Sequence, residues 1–201
     1  MRLTLTLACA ALTAASTLAA SSGPDIQASQ RDAELLRQKV ATITAEGERP
    51  STQGRRTTVT EAEVNAYLAY DAHEQLPTGV IEPSVSILGA GRLSGRALVD
   101  LDEVRRQHNP TSILDPMNYL RGRLPIAATG VLITNAGVGQ FHLESARISS
   151  VRIPKVLLQE IVSYYSKTPE NPAGISLEDP FALPVRIREI HVERGQAIIV
   201  Q

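Results

Sequence analysis

Residues 80–101 read VIEPSVSILGAGRLSGRALVDL, and this stretch decides the fold class. Apolar side chains recur with period two before and after Gly89-Ala90-Gly91, which is the pattern of a strand with one buried face. The alternating positions are Val85, Ile87, Leu93, Ala97 and Val99. Because glycine accepts the positive φ that a tight turn requires, the stretch predicts a β-hairpin.

Two more hairpins are predicted downstream of this one. Residues 124–134 and 140–148 form the arms of the second, with Asn135-Ala136-Gly137-Val138-Gly139 as its turn. The third has arms at 183–193 and 197–200 and turns at Arg194-Gly195. In one arm of each of these two hairpins, the apolar residues change midway from odd-numbered to even-numbered positions. Such a change predicts a bulge or bend.

Three amphipathic helices are predicted around the hairpins. The first covers 32–45, with Leu35, Leu36, Val40 and Ile43 at helical spacing. The second begins at Glu61, where Thr60 and Glu63 have the spacing of a capping box, and continues to about residue 73 with Val64, Tyr67 and Leu68 on a buried face. The third opens at Pro154, because proline is tolerated in the first turn of a helix. A short helical turn is also expected at 117–120.

The order of these elements gives the fold class. Runs of adjacent strands lie between helices, which favours an antiparallel sheet over a parallel one. The prediction is α+β, a curved antiparallel sheet of hairpins that wraps one or two amphipathic helices. A curved sheet of this kind can leave an elongated apolar groove.

The beginning of the chain indicates export. Residues 1–20 start with Arg2, continue through a small apolar stretch and end at small residues suited to signal-peptidase cleavage between Ala19 and Gly23. A membrane anchor is the alternative, but threonines and serines interrupt the apolar run. We therefore expect a bacterial periplasmic or secreted protein with no transmembrane span in the mature chain. Its organisation is a signal peptide (1–20), a tether, short helix and linker (21–58), and one α+β domain (59–201).

Composition excludes several functional classes. The only cysteine is Cys9, so a chain cleaved after it has no disulfide, no thiol nucleophile and no cysteine zinc site. A net charge of −1 and 3% aromatic residues argue against nucleic-acid binding. Lysine occurs only at Lys39, Lys155 and Lys167, and we interpret the predominance of arginine as compositional bias.

No motif predicts an enzyme, a cofactor or a metal. The glycines at 89, 91 and 95 lack the spacing of a dinucleotide fingerprint and lead into a strand rather than a helix. The four histidines are dispersed. A carboxylate–histidine cluster could form only if the strands carrying His142 and His191 were neighbours, and the alternative is a solvated sheet face with cross-strand charge pairs. We expect no catalytic residue and no metal site.

The helix from Pro154 is the candidate ligand-binding element. Leu157, Ile161, Tyr164 and Tyr165 lie on or beside its apolar stripe, where they either line a groove or pack in a closed core. An apolar cavity beside Leu157, Ile161 and Tyr165 would distinguish the first arrangement from the second.

Three phrases of the sequence carry a resemblance to a known family. TEAEVNAYL at 60–68, VRIPKVLL at 151–158 and the closing LPVRI at 183–187 with VERG at 192–195 resemble small exported bacterial domains of the tubular-lipid-binding type. The resemblance implies a proline-started helix packed in a curved sheet, with acyl chains enclosed between them, and implies no catalytic residue. The proline-rich loop after Tyr165 departs from that pattern. The expected function is a non-enzymatic periplasmic carrier of a lipid-like ligand. The alternative is a structural or protein-interaction domain of the cell envelope with a closed core and no ligand.

Overall fold

A computed structural model describes residues 29–48, 54–108, 121–165, 171–174 and 176–201. The signal peptide predicted at 1–20 and the helical turn predicted at 117–120 lie outside the described residues. The helices are α1 (Gln30–Gly47), α2 (Glu61–Tyr70), α3 (Leu101–His108) and α4 (Lys155–Tyr165). The strands are β1 (Arg56–Thr60), β2 (Val80–Gly89), β3 (Arg92–Asp100), β4 (Arg123–Asn135), β5 (Val138–Ile148), β6 (Val151–Ile153), β7 (Phe181–Ala182), β8 (Glu189–Glu193) and β9 (Gln196–Val200).

The fold is α+β, as predicted, and its larger sheet has six antiparallel strands. Five follow the order β2-β3-β4-β5-β6, and β7 pairs with β5. The first two predicted hairpins are confirmed as β2–β3 and β4–β5. The bulge predicted in 140–148 is also present, because Thr129 pairs with Ser145 while Gly130 pairs with Leu143, leaving Glu144 as the extra residue. The sheet is curved and does not close.

A smaller antiparallel sheet has the order β1-β9-β8. Residues 56–58 belong to the stretch expected to be a linker, yet β1 begins at Arg56 and pairs along its whole length with β9. The third predicted hairpin is shorter than expected. Its first arm starts at Glu189, and the preceding residues form a loop in which Val185 and Arg186 have positive φ.

The buried centre of the molecule lies where α1 meets the smaller sheet and the loop 183–188. Ile43, Leu183 and Ile187 form its core cluster. α1 buries Ala33, Leu36 and Ile43, whereas Leu35 and Val40, which share the predicted helical spacing, are largely exposed. α1 therefore contributes to the same core as the strands. The sequence predicts this helix as part of a segment that precedes the α+β domain of residues 59–201.

The larger sheet has two chemically distinct faces, which its strand register defines. One, here called the apolar face, carries side chains of only apolar residues, glycine and one threonine from β2 to β5. Its larger members are Val85, Ile87, Leu93, Leu124, Ile126, Leu132, Phe141, Leu143 and Ile148. The other, here called the polar face, carries arginines, serines, a threonine, the carboxylates of Asp100 and Glu144 and other polar side chains, together with a few apolar residues. Among the described residues, no helix is long and apolar enough to cross a membrane.

Candidate functional site

The predicted groove residues lie on α4, at the edge of the larger sheet. Leu157 is 46% exposed and its neighbour Val156 is 72% exposed. The side chains of Ile161, Tyr164 and Tyr165 lie outside the described residues. The prediction that these four residues line a ligand groove therefore remains a prediction.

The loop before β7 connects α4 to β5 through polar contacts. Gln159 Oε1 accepts a hydrogen bond of 2.8 Å from the backbone N–H of Leu177, and Gln140 Nε2 donates one of 2.9 Å to the carbonyl of Glu178. The Glu178 carboxylate pairs with Lys155 and lies 3.7 Å from His142 Nδ1. The hydrogen bond with Lys155 is the largest cause that lowers the pKa of Glu178, and the charges of Lys155 and His142 lower it further. The pKa of Glu178 therefore lies below its ordinary value. The first residue of α4 is therefore ion-paired to the loop before β7, and that loop is hydrogen-bonded to β5 through Gln140.

The histidines of β5 and β8 do not meet, because these strands belong to different sheets. His191 Nε2 lies 3.0 Å from Glu189 on its own strand, and His142 faces Glu178. Across the described residues, no group of three or more histidine, cysteine or acidic side chains could hold a metal ion. Each histidine lies beside one carboxylate, but neither pair is the cross-strand pair of the alternative, because Glu189 is on the same strand as His191 and Glu178 is in a loop.

A band of small residues crosses the middle of the apolar face. Gly95, Ala128 and Ala146 are successive cross-strand partners on β3, β4 and β5. Val85 on β2 and Ile153 on β6 complete the row, which we call the trough. No heavy atom of another described residue lies within 4 Å of where a Cβ on Gly95 would stand. By contrast, the ring of Phe141 covers Gly130 in the neighbouring row. The trough is therefore open at Gly95.

The trough leads directly to α4. Ile153 ends it on β6, and Pro154 then starts the helix that carries Leu157. At neighbouring-strand spacings of ~4.8 Å, its five strands give a length of ~19 Å. The row is open at Gly95, whereas Ala146 within it is only 6% exposed.

A pocket of about 240 Å³ lies elsewhere, at the end of the sheet where the hairpins meet the turn of Ser149. Its lining includes Glu82, Arg96, Leu98, Pro125 and Ala127, and no residue of α4. This pocket is not the apolar cavity expected beside Leu157. Sequence reasoning missed both the pocket and the trough, because each depends on the register between strands rather than on alternation within one strand.

No family model, curated protein or solved structure matches this chain.

Proposed function

We propose that this protein is a non-enzymatic binding or carrier protein that holds a lipid-like ligand on the apolar face of its larger sheet. The open position at Gly95, in the middle of the trough, is the observation that carries the proposal. Small side chains at successive cross-strand positions leave a depression, and the larger side chains in the rows on either side form its walls. The ligand class is a hydrocarbon chain, because the trough presents no charged side chain.

The helix α4 supports the same proposal. Val156 and Leu157 are exposed apolar side chains on the helix that continues from the end of the trough. Such exposed apolar surface is unfavourable in water unless a ligand or partner covers it. In this proposal Leu157, Ile161, Tyr164 and Tyr165 contact the part of the ligand that extends beyond the sheet. The resemblance to tubular-lipid-binding domains, based on residues 60–68 and 151–158, agrees with this ligand class.

A substitution at Gly95 tests the proposal. In an open trough, Gly95→Leu fits without loss of stability, because the position has free space and a strand favours leucine over glycine. The same side chain then occupies the place of the ligand, and delipidated protein takes up less of a fluorescent fatty acid. Ser86→Leu, on the polar face of β2, is the matched control and leaves uptake unchanged.

The alternative function, an envelope interaction domain with a closed core, gives the opposite result. There Gly95→Leu overpacks the face and lowers the free energy of unfolding by roughly 1 to 3 kcal/mol. The parent protein then takes up no fatty acid. That pair of observations overturns the carrier proposal.

We further propose that the chain acts in the periplasm or outside the cell, after cleavage of residues 1–20. The charged start, small apolar stretch and small residues near Ala19 support this proposal. Mass spectrometry of the protein from envelope fractions should give a first residue between Ala19 and Gly23. An intact Met1 on protein from the cytoplasm contradicts the proposal.

A further inference from the structure

The polar face of the larger sheet carries a line of three arginines, here called the arginine row. Arg96 on β3 pairs with Ala127 on β4, Ala127 with Arg147 on β5, and Arg147 with Arg152 on β6. Cross-strand partners lie on the same face, so all three guanidinium groups project from one side of the sheet. All three side chains are exposed.

Charge balance separates this row from the other arginines of the same face. Arg92 pairs with Glu144 at 2.8 Å, and Arg123 Nε lies 3.3 Å from Asp100. Among the described residues, no carboxylate lies within 4 Å of Arg96, Arg147 or Arg152. The row therefore concentrates the uncompensated positive charge of this face.

The placement of Arg147 opposite Arg152 is unfavourable for the isolated sheet. Like charges at directly paired positions destabilise a strand pair. An anion beside this pair reduces the repulsion between the two guanidinium groups. A guanidinium group suits that role, because its planar fork of N–H donors matches the oxygen atoms of a phosphate or carboxylate.

The pocket described above adjoins one end of the row, because Arg96 lines it whereas Arg147 and Arg152 do not. Arg96 and Ala127 both line it, together with apolar Leu98 and Pro125. Ala127 lies between Arg96 and Arg147 on the intervening strand, and its small side chain leaves a gap between the two arginines. The backbones of Arg96 and Arg147 are ~10 Å apart. Glu82 also lines the pocket, on the β2 side of Arg96, and repels an anion from that side. The position that remains for an anion is over the side chain of Ala127, on the side towards Arg147.

We propose that the arginine row is a binding site for a phosphate ester, seated over Ala127 between the guanidinium groups of Arg96 and Arg147, with Arg152 adding charge from β6. The apolar lining of the pocket accepts the organic group next to the phosphate. This site is on the opposite face from the trough, so it does not depend on the proposed carrier function. The phosphate belongs either to a soluble ester or to a lipid headgroup.

Calorimetric titration of the delipidated full chain with phenyl phosphate tests the soluble source. Arg96→Gln and Arg147→Gln should each weaken binding about tenfold, because each removes a charge-assisted pair of hydrogen bonds. Arg92→Gln and Arg123→Gln are matched controls on the same face, and their affinity should stay within about twofold of the parent value. Ala127→Leu should weaken binding about tenfold with every charge intact, because it fills the gap.

Cosedimentation with phosphatidylcholine vesicles, with and without phosphatidic acid, tests the lipid source. Binding to phenyl phosphate assigns the site to a soluble ester, whereas arginine-dependent binding to the phosphatidic acid vesicles alone assigns it to a headgroup. The proposal is overturned if neither probe binds. It is also overturned if the control substitutions at Arg92 and Arg123 weaken binding as much as those at Arg96 and Arg147.

Discussion

Glu63 links two helices through one carboxylate. The backbone N–H of Thr60 donates to Glu63 Oε2 at 2.9 Å, and Thr60 Oγ1 accepts from the backbone N–H of Glu63 at 3.2 Å. Lys39 of α1 lies 2.7 Å from the same carboxylate, which is only 6% exposed. A buried carboxylate needs such partners, because an unpaired charge is costly away from water. The start of α2 is thereby tied to the side of α1.

The capping box gives the first prediction. Thr60→Ala removes the acceptor for the Glu63 N–H and should lower the free energy of unfolding by about 1 kcal/mol. Thr42→Ala is the matched control. Among the described residues, its hydroxyl bonds only to the Gln38 carbonyl within α1, and alanine is the better helix former, so stability should not fall. Equal denaturant midpoints for parent and Thr60→Ala would show that the cap does not stabilise the fold.

A second residue-scale prediction concerns pH. Asp100 caps α3, with Oδ1 accepting from the backbone N–H groups of Asp102 and Glu103 at 3.1 Å. The Glu103 N–H, and after it the Arg123 guanidinium, hold the pKa of Asp100 below its ordinary value. Its ionised form therefore adds stability above the ordinary pKa of about 3.9, and this is lost as pH falls through the lowered pKa.

Asp100→Asn keeps an oxygen that can cap the helix but removes the charge. The parent protein should be more stable than this variant at neutral pH, and the difference should shrink as the solution is acidified. Urea titrations at a series of pH values measure it. Asp179→Asn, in an exposed loop, is the control. A difference that stays constant with pH rules out the electrostatic role of Asp100.

At the scale of elements, side chains of α2 hydrogen-bond to the backbone of β2, which is an edge strand of the larger sheet. Asn65 donates to the carbonyl of Val85 at 2.8 Å and accepts from the N–H of Val85 at 2.7 Å. Glu61 accepts from the N–H of Ile87 at 2.6 Å. An uncovered edge strand offers its backbone to other chains, so these side chains prevent edge-to-edge pairing.

The third prediction follows from this cover. Asn65→Ala leaves the backbone groups of Val85 without their side-chain partner and should destabilise the fold by roughly 1 to 3 kcal/mol. It should also increase self-association, measured by light scattering at raised concentration. Ala69→Ser, on the exposed end of α2, should change stability by less than about 0.5 kcal/mol. Full stability and a monodisperse Asn65→Ala variant would contradict the protective role.

The elements that the sequence predicted correctly are those with local signals. The β2–β3 and β4–β5 hairpins combine period-two alternation with glycine turns, so their partners are adjacent in sequence. β1 was missed because five residues give a weak pattern and their partner, β9, is distant. Val185 and Ile187 alternate like a strand, yet the positive φ of Val185 turns the chain and directs Ile187 into the core.

At the scale of the whole molecule, the core cluster and the candidate sites lie in different parts of the fold, although Ala146 of the trough is itself only 6% exposed. The cluster of Ile43, Leu183 and Ile187 joins α1 to the smaller sheet, and Gln201 Nε2 bonds to the carbonyls of Ile43 and Val185 at 2.8 Å. The trough and the arginine row lie on the larger sheet, and both arise from alignment across several strands. Sequence alone could not predict them, because a shift of one residue between neighbouring strands would move every side chain to the other face.

The fourth prediction compares a buried side chain of the core cluster with an exposed side chain of the larger sheet. Ile187 is 7% exposed, so Ile187→Ala should lower the free energy of unfolding by roughly 2 to 5 kcal/mol. Leu88 is 43% exposed on the larger sheet, and Leu88→Ala should cost much less. Chemical denaturation of both variants measures the difference. Similar losses would show that the buried side chain of Ile187 contributes no more to stability than the exposed side chain of Leu88.

The central position of β9 in the smaller sheet has a kinetic consequence. β9 pairs with β1, roughly 140 residues earlier in the chain, while the larger sheet grows from neighbouring hairpins. Closing so long a loop is slow compared with forming a hairpin, so the larger sheet should form first and the smaller one last. Until β9 enters, the helix pair has no completed sheet to pack against. The time needed to complete the fold should therefore depend on the pairing of one five-residue strand.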